Sequence, residues 1–137
     1  MKIDGGCHCG AIQYEATADL ERTSICHCSD CQTLTGTAFR VSIQVPDQDF
    51  AFTRGAPKIY VKLAESGAKR AQAFCGECGT PLYATSVGDG PKVYSVRVGT
   101  ARQRNELTPK RQIWHRSALP WLPDFDVPTS EREPARR

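Results

Sequence analysis

The sequence predicts a mainly β fold of short antiparallel strands, with two metal centres and little helix. Three observations carry that expectation. Short runs of the chain alternate apolar and polar side chains, as strands with one buried face do. Turns bearing glycine or proline separate these runs, and no strand–helix–strand alternation calls for a parallel sheet. All seven cysteines of the 137 residues fall in three tight clusters, Cys7-x-Cys9, Cys26-x-Cys28-x-x-Cys31 and Cys75-x-x-Cys78.

Taken in order, Gly5-Gly6-Cys7-His8-Cys9-Gly10 is expected to be a turn, its glycines allowing the positive φ that a tight sulfur-binding loop needs. Residues 11–17 alternate and predict a half-buried strand, followed by a polar connection over 19–24. Gln32 to Gly36 predicts a short helix that stops at Gly36, with Asp30 or Ser29 as its cap. Strands are expected over 37–45, up to Pro46, and over 50–53. A turn at 54–57 leads to an alternating strand at 58–63, a hairpin turn at Ser66-Gly67 and a partner strand over 69–74 that delivers Cys75. Residues 82–85 and 93–98 are further strands, flanking a turn at 88–91, and 113–115 is a late one. Tyr60, Tyr94 and Trp121 read as core residues, and Pro120-Trp121-Leu122-Pro123 as an aromatic clasp over a core edge. Residues 1–127 are expected to form one zinc-binding domain and 128–137 a flexible C-terminal tail.

Composition narrows the function. An apolar fraction of 39% against 24% charged residues is that of a globular chain, long enough to bury a core. A net charge of +3 is too small to announce a nucleic-acid binder. Part of it sits in Arg132, Arg136 and Arg137, where Glu131 and Glu133 dilute it. No apolar run approaches the roughly 18 residues of a membrane helix, and Met1 to Gly6 lacks the apolar segment of a signal peptide. A cytoplasmic protein with no membrane partner is therefore expected.

An odd number of thiols cannot pair fully into disulfides within one chain, and a cytosol would keep them reduced. Clustered cysteines of this spacing read instead as zinc ligands. Seven divide as four plus three. Cys7, Cys9, Cys75 and Cys78 would make a closed four-thiolate site, and Cys26, Cys28 and Cys31 an open one, the pattern of a catalytic zinc. Disulfides, a Cys75–Cys78 redox pair, or one merged site with idle thiols are the competing readings of the same residues. His8 and His27 alternate against their neighbouring cysteines, so solvent-facing or supporting roles suit them better than ligation. Glu77 reads as a solvated residue of its loop.

Together these residues resemble the family of glutathione-dependent formaldehyde-activating enzymes, whose zinc domain a centromere protein shares. The likeness covers roughly Gly5 to Leu122. It rests on Gly-Gly-Cys-His-Cys-Gly at 5–10, Cys-His-Cys-Ser-Asp-Cys-Gln at 26–32 and Phe-Cys-Gly-Glu-Cys-Gly-Thr-Pro-Leu-Tyr at 74–83. Gly55-Ala56-Pro57-Lys58 with Tyr60, and Pro120-Trp121, add weaker matches. The resemblance implies a β-tent fold with two zinc ions per chain. It makes Cys7, Cys9, Cys75 and Cys78 the structural set, and Cys26, Cys28 and Cys31 the catalytic set. It also implies carbon–sulfur lyase chemistry, the reversible addition of glutathione to formaldehyde, with a small-molecule thiol and aldehyde as partners.

Three thiolates around zinc leave a net negative charge, which favours presenting a fourth thiolate as a nucleophile over hydrolysis. Asp30, His27 or water are the candidates for moving the proton. Arg40, Arg54, Lys58 and Arg97 are the candidates for a basic rim facing the carboxylates of glutathione, each with the ordinary alternative of a solvated strand residue. The competing function is a non-catalytic, zinc-stabilised binding module for a protein or nucleic-acid partner, in which both sites would be closed.

Overall fold

The computed structural model describes residues 1–123 and 126–134. The expected basic end at Arg136 and Arg137 lies outside the described residues. The strands are β1 (Lys2–Gly6), β2 (Gln13–Thr17), β3 (Thr23–Cys26), β4 (Arg40–Pro46), β5 (Phe50–Arg54), β6 (Lys58–Leu63), β7 (Lys69–Phe74), β8 (Pro81–Ser86), β9 (Val93–Arg97) and β10 (Arg111–Ile113). A single α-helix among the described residues, α1 (Ser29–Thr35), follows β3. The fold is mainly β, as the alternation predicts. The strands expected at 58–63, 69–74, 82–85 and 93–98 are all present to within a residue or so. Two others were not read from the sequence. β1 has the glycines of its end paired to β2, and β3 occupies part of the stretch taken for a polar connection.

The strands make two sheets. One is antiparallel, in the order β1-β2-β5; the other has seven strands, in the order β10-β3-β4-β9-β8-β7-β6, antiparallel except for the parallel β10–β3 pair. The core lies between them. Ile3, Tyr14 and Ala16 of the small sheet meet Ile43, Val45, Ala73, Tyr83 and Val96 of the large one, all buried. Phe50 joins the two layers by stacking on Tyr14 at 5.0 Å between ring centroids and meeting Tyr94 edge-on at 5.2 Å. Pairs directly opposite in a ladder share a face. The even positions of β4 and the odd ones of β9 therefore lie on the other side of the large sheet, together with Cys26: Cys26 faces Arg40, and Ser42 faces Arg97.

That second face is concave. Five strand spacings separate β3 from β6, about 24 Å in a flat sheet. Yet Lys62 of β6 donates to Asp30 of α1 at 2.8 Å, and Arg40 of β4 reaches Gln72 of β7 at 3.3 Å. The sheet must curl to close those gaps, as right-handed strand twist accumulated over seven strands allows. α1 lies within the curve, held by Lys62 on one side and by Gln32, which donates to the carbonyls of His27 and Ser117, on the other.

Two expectations about side chains fail. Tyr60 and Trp121 are 54% and 70% exposed, so neither belongs to the core; Tyr60 stands on β6, the edge strand of the large sheet. Tyr94 is the exception, packed on Tyr83 at 4.1 Å. The stretch from Pro128, read as a loose tail, carries strand-like bonds as far as Arg132. Gln112 donates to the Pro128 carbonyl, Ser130 donates to that of Gln112, and Trp114 donates to that of Arg132. Polar side chains hid that pairing, because main-chain groups make it. No helix among the described residues is long and apolar enough to cross a membrane.

Candidate metal centres

Two groups of thiols converge. The first is Cys7, Cys9, Cys75 and Cys78, whose sulfurs all lie within 4.8 Å of one another. Cys7 follows β1 at the start of a turn that Gly10 closes with φ of 81°. Cys75 follows β7 at the start of a second turn, closed by Gly79 with φ of 80°. Such values favour glycine because no Cβ clashes there. Cys7 Sγ lies 3.6 Å from Cys9 Sγ, and Cys9 Sγ 3.8 Å from Cys75 Sγ. These are close to the roughly 3.8 Å edge of a tetrahedron of sulfurs at about 2.3 Å from zinc. Backbone N–H groups point at the same atoms: Ile12 donates to Cys7 Sγ, and Glu77 and Cys78 both donate to Cys75 Sγ. Thr80 links the turns, its Oγ1 accepting from the His8 backbone N–H at 3.0 Å and lying 3.2 Å from Cys78 Sγ.

The second group is Cys26, Cys28 and Cys31, all half-buried and also within 4.8 Å of one another. Local structure sets it. Cys26 ends β3, Cys28 caps α1, and Cys31 lies in the first turn of the helix. Cys28 Sγ accepts from the Cys31 backbone N–H at 3.3 Å. It is therefore the sulfur, and not Asp30 or Ser29, that takes the capping role, while Asp30 turns to Lys62. Both groups offer a soft, convergent, all-sulfur donor set backed by N–H groups, which suits zinc.

The model of the glutathione-dependent formaldehyde-activating enzyme family matches residues 2–117. The chain belongs to that family. A crystal structure of a Rhodobacter sphaeroides protein has the same fold, with a TM-score of 0.55 and 18% identity, over 93% of this chain and 99% of that one.

Family membership sharpens the electrostatics. In the three-thiol group the protons are shared unequally. Hydrogen bonds from Cys26 and Cys31 take Cys28 down to about 2, helped by the Cys31 N–H and the charge of Lys62, while the same bonds and burial drive Cys26 well up. Cys31 is also raised: the bond from Cys26 pulls it down, but Cys28 and burial outweigh that pull. In the four-thiol group Thr80 holds Cys78 down to about 5. Cys9 gains from the Ala11 N–H, yet Cys7, burial and the other thiols push it up to about 12. Neither group ionises completely by itself, and a divalent cation is what would let it do so.

His27 is 1% exposed, so the solvent-facing option for it fails. Alternation turns it away from the sulfurs of its neighbours. Its Nε2 meets Gln112 Oε1 at 2.6 Å, and its ring packs on Phe39 and His115. His8 and Glu77 are exposed. Arg54 and Lys58 are exposed as well. Arg40 and Arg97 are not. Arg40 is 5% exposed. Arg97 donates from Nη1 to Ser42 Oγ at 2.8 Å and from Nη2 to Gln72 Oε1 at 3.0 Å, the oxygen that Arg40 Nη1 also reaches. Burial lowers Arg97 to about 9, with the like charge of Arg40 acting in the same direction and the thiols of Cys31 and Cys26 opposing it. Gln72 and Lys62, which arrange this face, were not singled out from the sequence. Their only signal is that they share a strand phase with Arg70 and Tyr60 on β7 and β6.

Proposed function

We propose that this protein is a zinc-dependent carbon–sulfur lyase that adds a thiol, glutathione, reversibly to formaldehyde. In this reading Cys7, Cys9, Cys75 and Cys78 hold a structural zinc, and Cys26, Cys28 and Cys31 hold a second one at the reaction centre. Family membership supports the substrates. The observation that carries the assignment of the centre is the convergence of only three chain ligands at the second group among the described residues.

The reaction balances without a further reactant: one thiol and one formaldehyde give one S-hydroxymethyl adduct. A single carbon–sulfur bond forms, the carbonyl π bond opens, and the thiol proton ends on the carbinol oxygen. When bound at Cys26, Cys28 and Cys31, zinc supplies a positive centre that makes a thiol ligand a thiolate at neutral pH. The chain does the rest by positioning. The cap at Cys28 and the short helix set the three sulfurs at one point. The Lys62–Asp30 pair and the Gln32 bonds keep α1 seated in the sheet. A cleft of about 560 Å³ that α1 borders through Thr35, lined also by Phe39, Arg40, Thr80, Arg97 and Thr100 among others, gives a second reactant a place. Holding both converts a bimolecular encounter into a step within one site.

Exchange spectroscopy by NMR on a mixture of glutathione and formaldehyde tests the reading. Added holoprotein should speed the interconversion of free and adduct forms, and Cys28→Ser should abolish the acceleration. A holoprotein with two zinc ions that leaves the exchange rate unchanged would overturn it in favour of a zinc-stabilised binding module.

A further inference from the structure

Arg40 is a buried charge on the concave face. It is 5% exposed, and its Nη1 is its one satisfied donor, used on Gln72. Its Nε and Nη2 are buried with no acceptor among the described residues. Those two atoms form one edge of the guanidinium plane, with parallel N–H bonds spaced to meet both oxygens of a carboxylate. The Nε of the neighbouring Arg97 is buried without an acceptor too. A buried, unmet guanidinium donor costs more than a neutral one, so three of them in one place need a physical reason. Gln72 gives its single side-chain oxygen to both arginines, which holds two like charges side by side instead of separating them.

The surroundings say what the unmet donors face. Arg40 stands directly across the ladder from Cys26, and opposed side chains in such a pair start about 5 Å apart at Cβ. Arg97 stands across from Ser42, two residues along β4 on the same face. Both arginines line the cleft, and no other charged residue among the described ones does. No Asp or Glu forms an ion pair with either one among the described residues.

We propose that Arg40 and Arg97 form a carboxylate-binding subsite beside the Cys26–Cys28–Cys31 group, and that one of the two reacting molecules carries the carboxylate it grips. The Nε/Nη2 edge of Arg40 takes both oxygens, and Arg97 Nε adds a third bond to one of them. A lone alkoxide would leave half of the Arg40 edge unmet, so a planar two-oxygen anion fits better. The carboxylate has two possible sources, the thiol or the aldehyde. This choice rests on the reading of the three-thiol group as the reaction centre; the subsite itself does not.

The test uses the two-zinc holoprotein with sodium acetate as probe, in the absence of thiol and aldehyde. Acetate should shift the Arg Nε–H signals of Arg40 and Arg97 saturably, and acetamide should not. Arg40→Lys, which keeps the charge and loses the edge, should weaken acetate about tenfold, as should Arg97→Gln. The wild-type titration stands even if a variant fails to fold. Two further arms separate the sources. If Arg40→Lys weakens glutathione about tenfold but spares cysteamine, the thiol carries the carboxylate. If it raises the KM for an aldehyde bearing a carboxylate but not that for formaldehyde, the aldehyde does. Unshifted Arg Nε–H signals at saturating acetate, or acetate affinity equal in the wild type and both folded variants, overturns the subsite. An active enzyme without acetate binding would sink this inference alone, and acetate binding without activity would sink the proposed reaction alone.

Discussion

The four-thiol and three-thiol groups use the same ligand atom, with sulfurs within 4.8 Å of one another in each, yet they act on the fold at different ranges. The first joins Cys9 to Cys75, 66 positions apart, and so ties the β1–β2 turn of the small sheet to the β7–β8 turn of the large one. The second spans six residues at a strand end and a helix start. Closing a long loop removes far more freedom from the unfolded chain than closing a short one. Ligand chemistry alone therefore does not tell a clamp from a working site; the separation in sequence and the surroundings do. The four-thiol group is set in backbone turns, with His8, Gly76 and Glu77 beside it exposed. The local group lies beside a concavity holding two buried arginines.

The largest effect should come from breaking the clamp. Cys75→Ser should remove most of the folded state, since structural zinc binding in small systems is worth roughly 10–16 kcal/mol against about 5–15 kcal/mol for a whole domain. Cys28→Ser should keep the sheet signal in circular dichroism, retain one zinc, and lose more than about a hundredfold in activity. Thermal melts and metal content on the two variants make the comparison. Equal unfolding in both would mean that the three-thiol group is a clamp as well.

A second prediction follows from proton sharing. Cys26 and Cys31 are both raised, so both hold their protons at neutral pH, while Cys28 is already a thiolate. A metal entering this group must displace those two protons. Raised groups favour the metal-free form until the pH climbs, so affinity should increase with pH, by about a hundredfold per unit near pH 7. Competition with a chelator at pH 6.5, 7.0 and 7.5 measures it. A pH-independent affinity would show that the thiols are already ionised without metal.

The smallest effect concerns the seating of α1. Lys62→Met removes a partly exposed ion pair to Asp30, which is worth at most about 1 kcal/mol in stability. The melting temperature should hardly move. Activity should fall several-fold, because the helix carries Cys31, and the four-thiol group should keep its zinc unchanged. A variant with full activity would show that Gln32 seats the helix alone.

Much of the site could be read from the residues because its parts are local. Cys26, Cys28 and Cys31 lie within six positions, and Gly36 marks the end of the helix they begin, with φ of 68°. The division of seven thiols into four and three needed only spacing. The capping atom could not be read: Asp30 and Ser29 are better caps by type, but the helix begins at Ser29, three residues earlier than expected, so both lie inside its first turn and Asp30 pairs with Lys62 from another strand. β3 was hidden because its short sequence reads as polar and its partners lie at positions 40–43 and 111–113.

By itself, the sequence determined the period-two alternation, and with it which side chains share a face. On β4 and β9 that period puts Arg40, Ser42 and Arg97 on the face away from Ile43, Val45 and Val96. It also determined the thiol clusters, whose members are held together by bonds along a few residues of chain. What covers each face was decided only in three dimensions. Alternation distinguishes a polar face from an apolar one, and the ordinary assumption is that water meets the polar side. Here the seven-stranded sheet curls, and α1 and Gln72 close over that side. The arginines that would have been solvated on a flat sheet are instead buried across the ladder from the three-thiol group, because curvature is a property of the accumulated twist of many strands and of no single one.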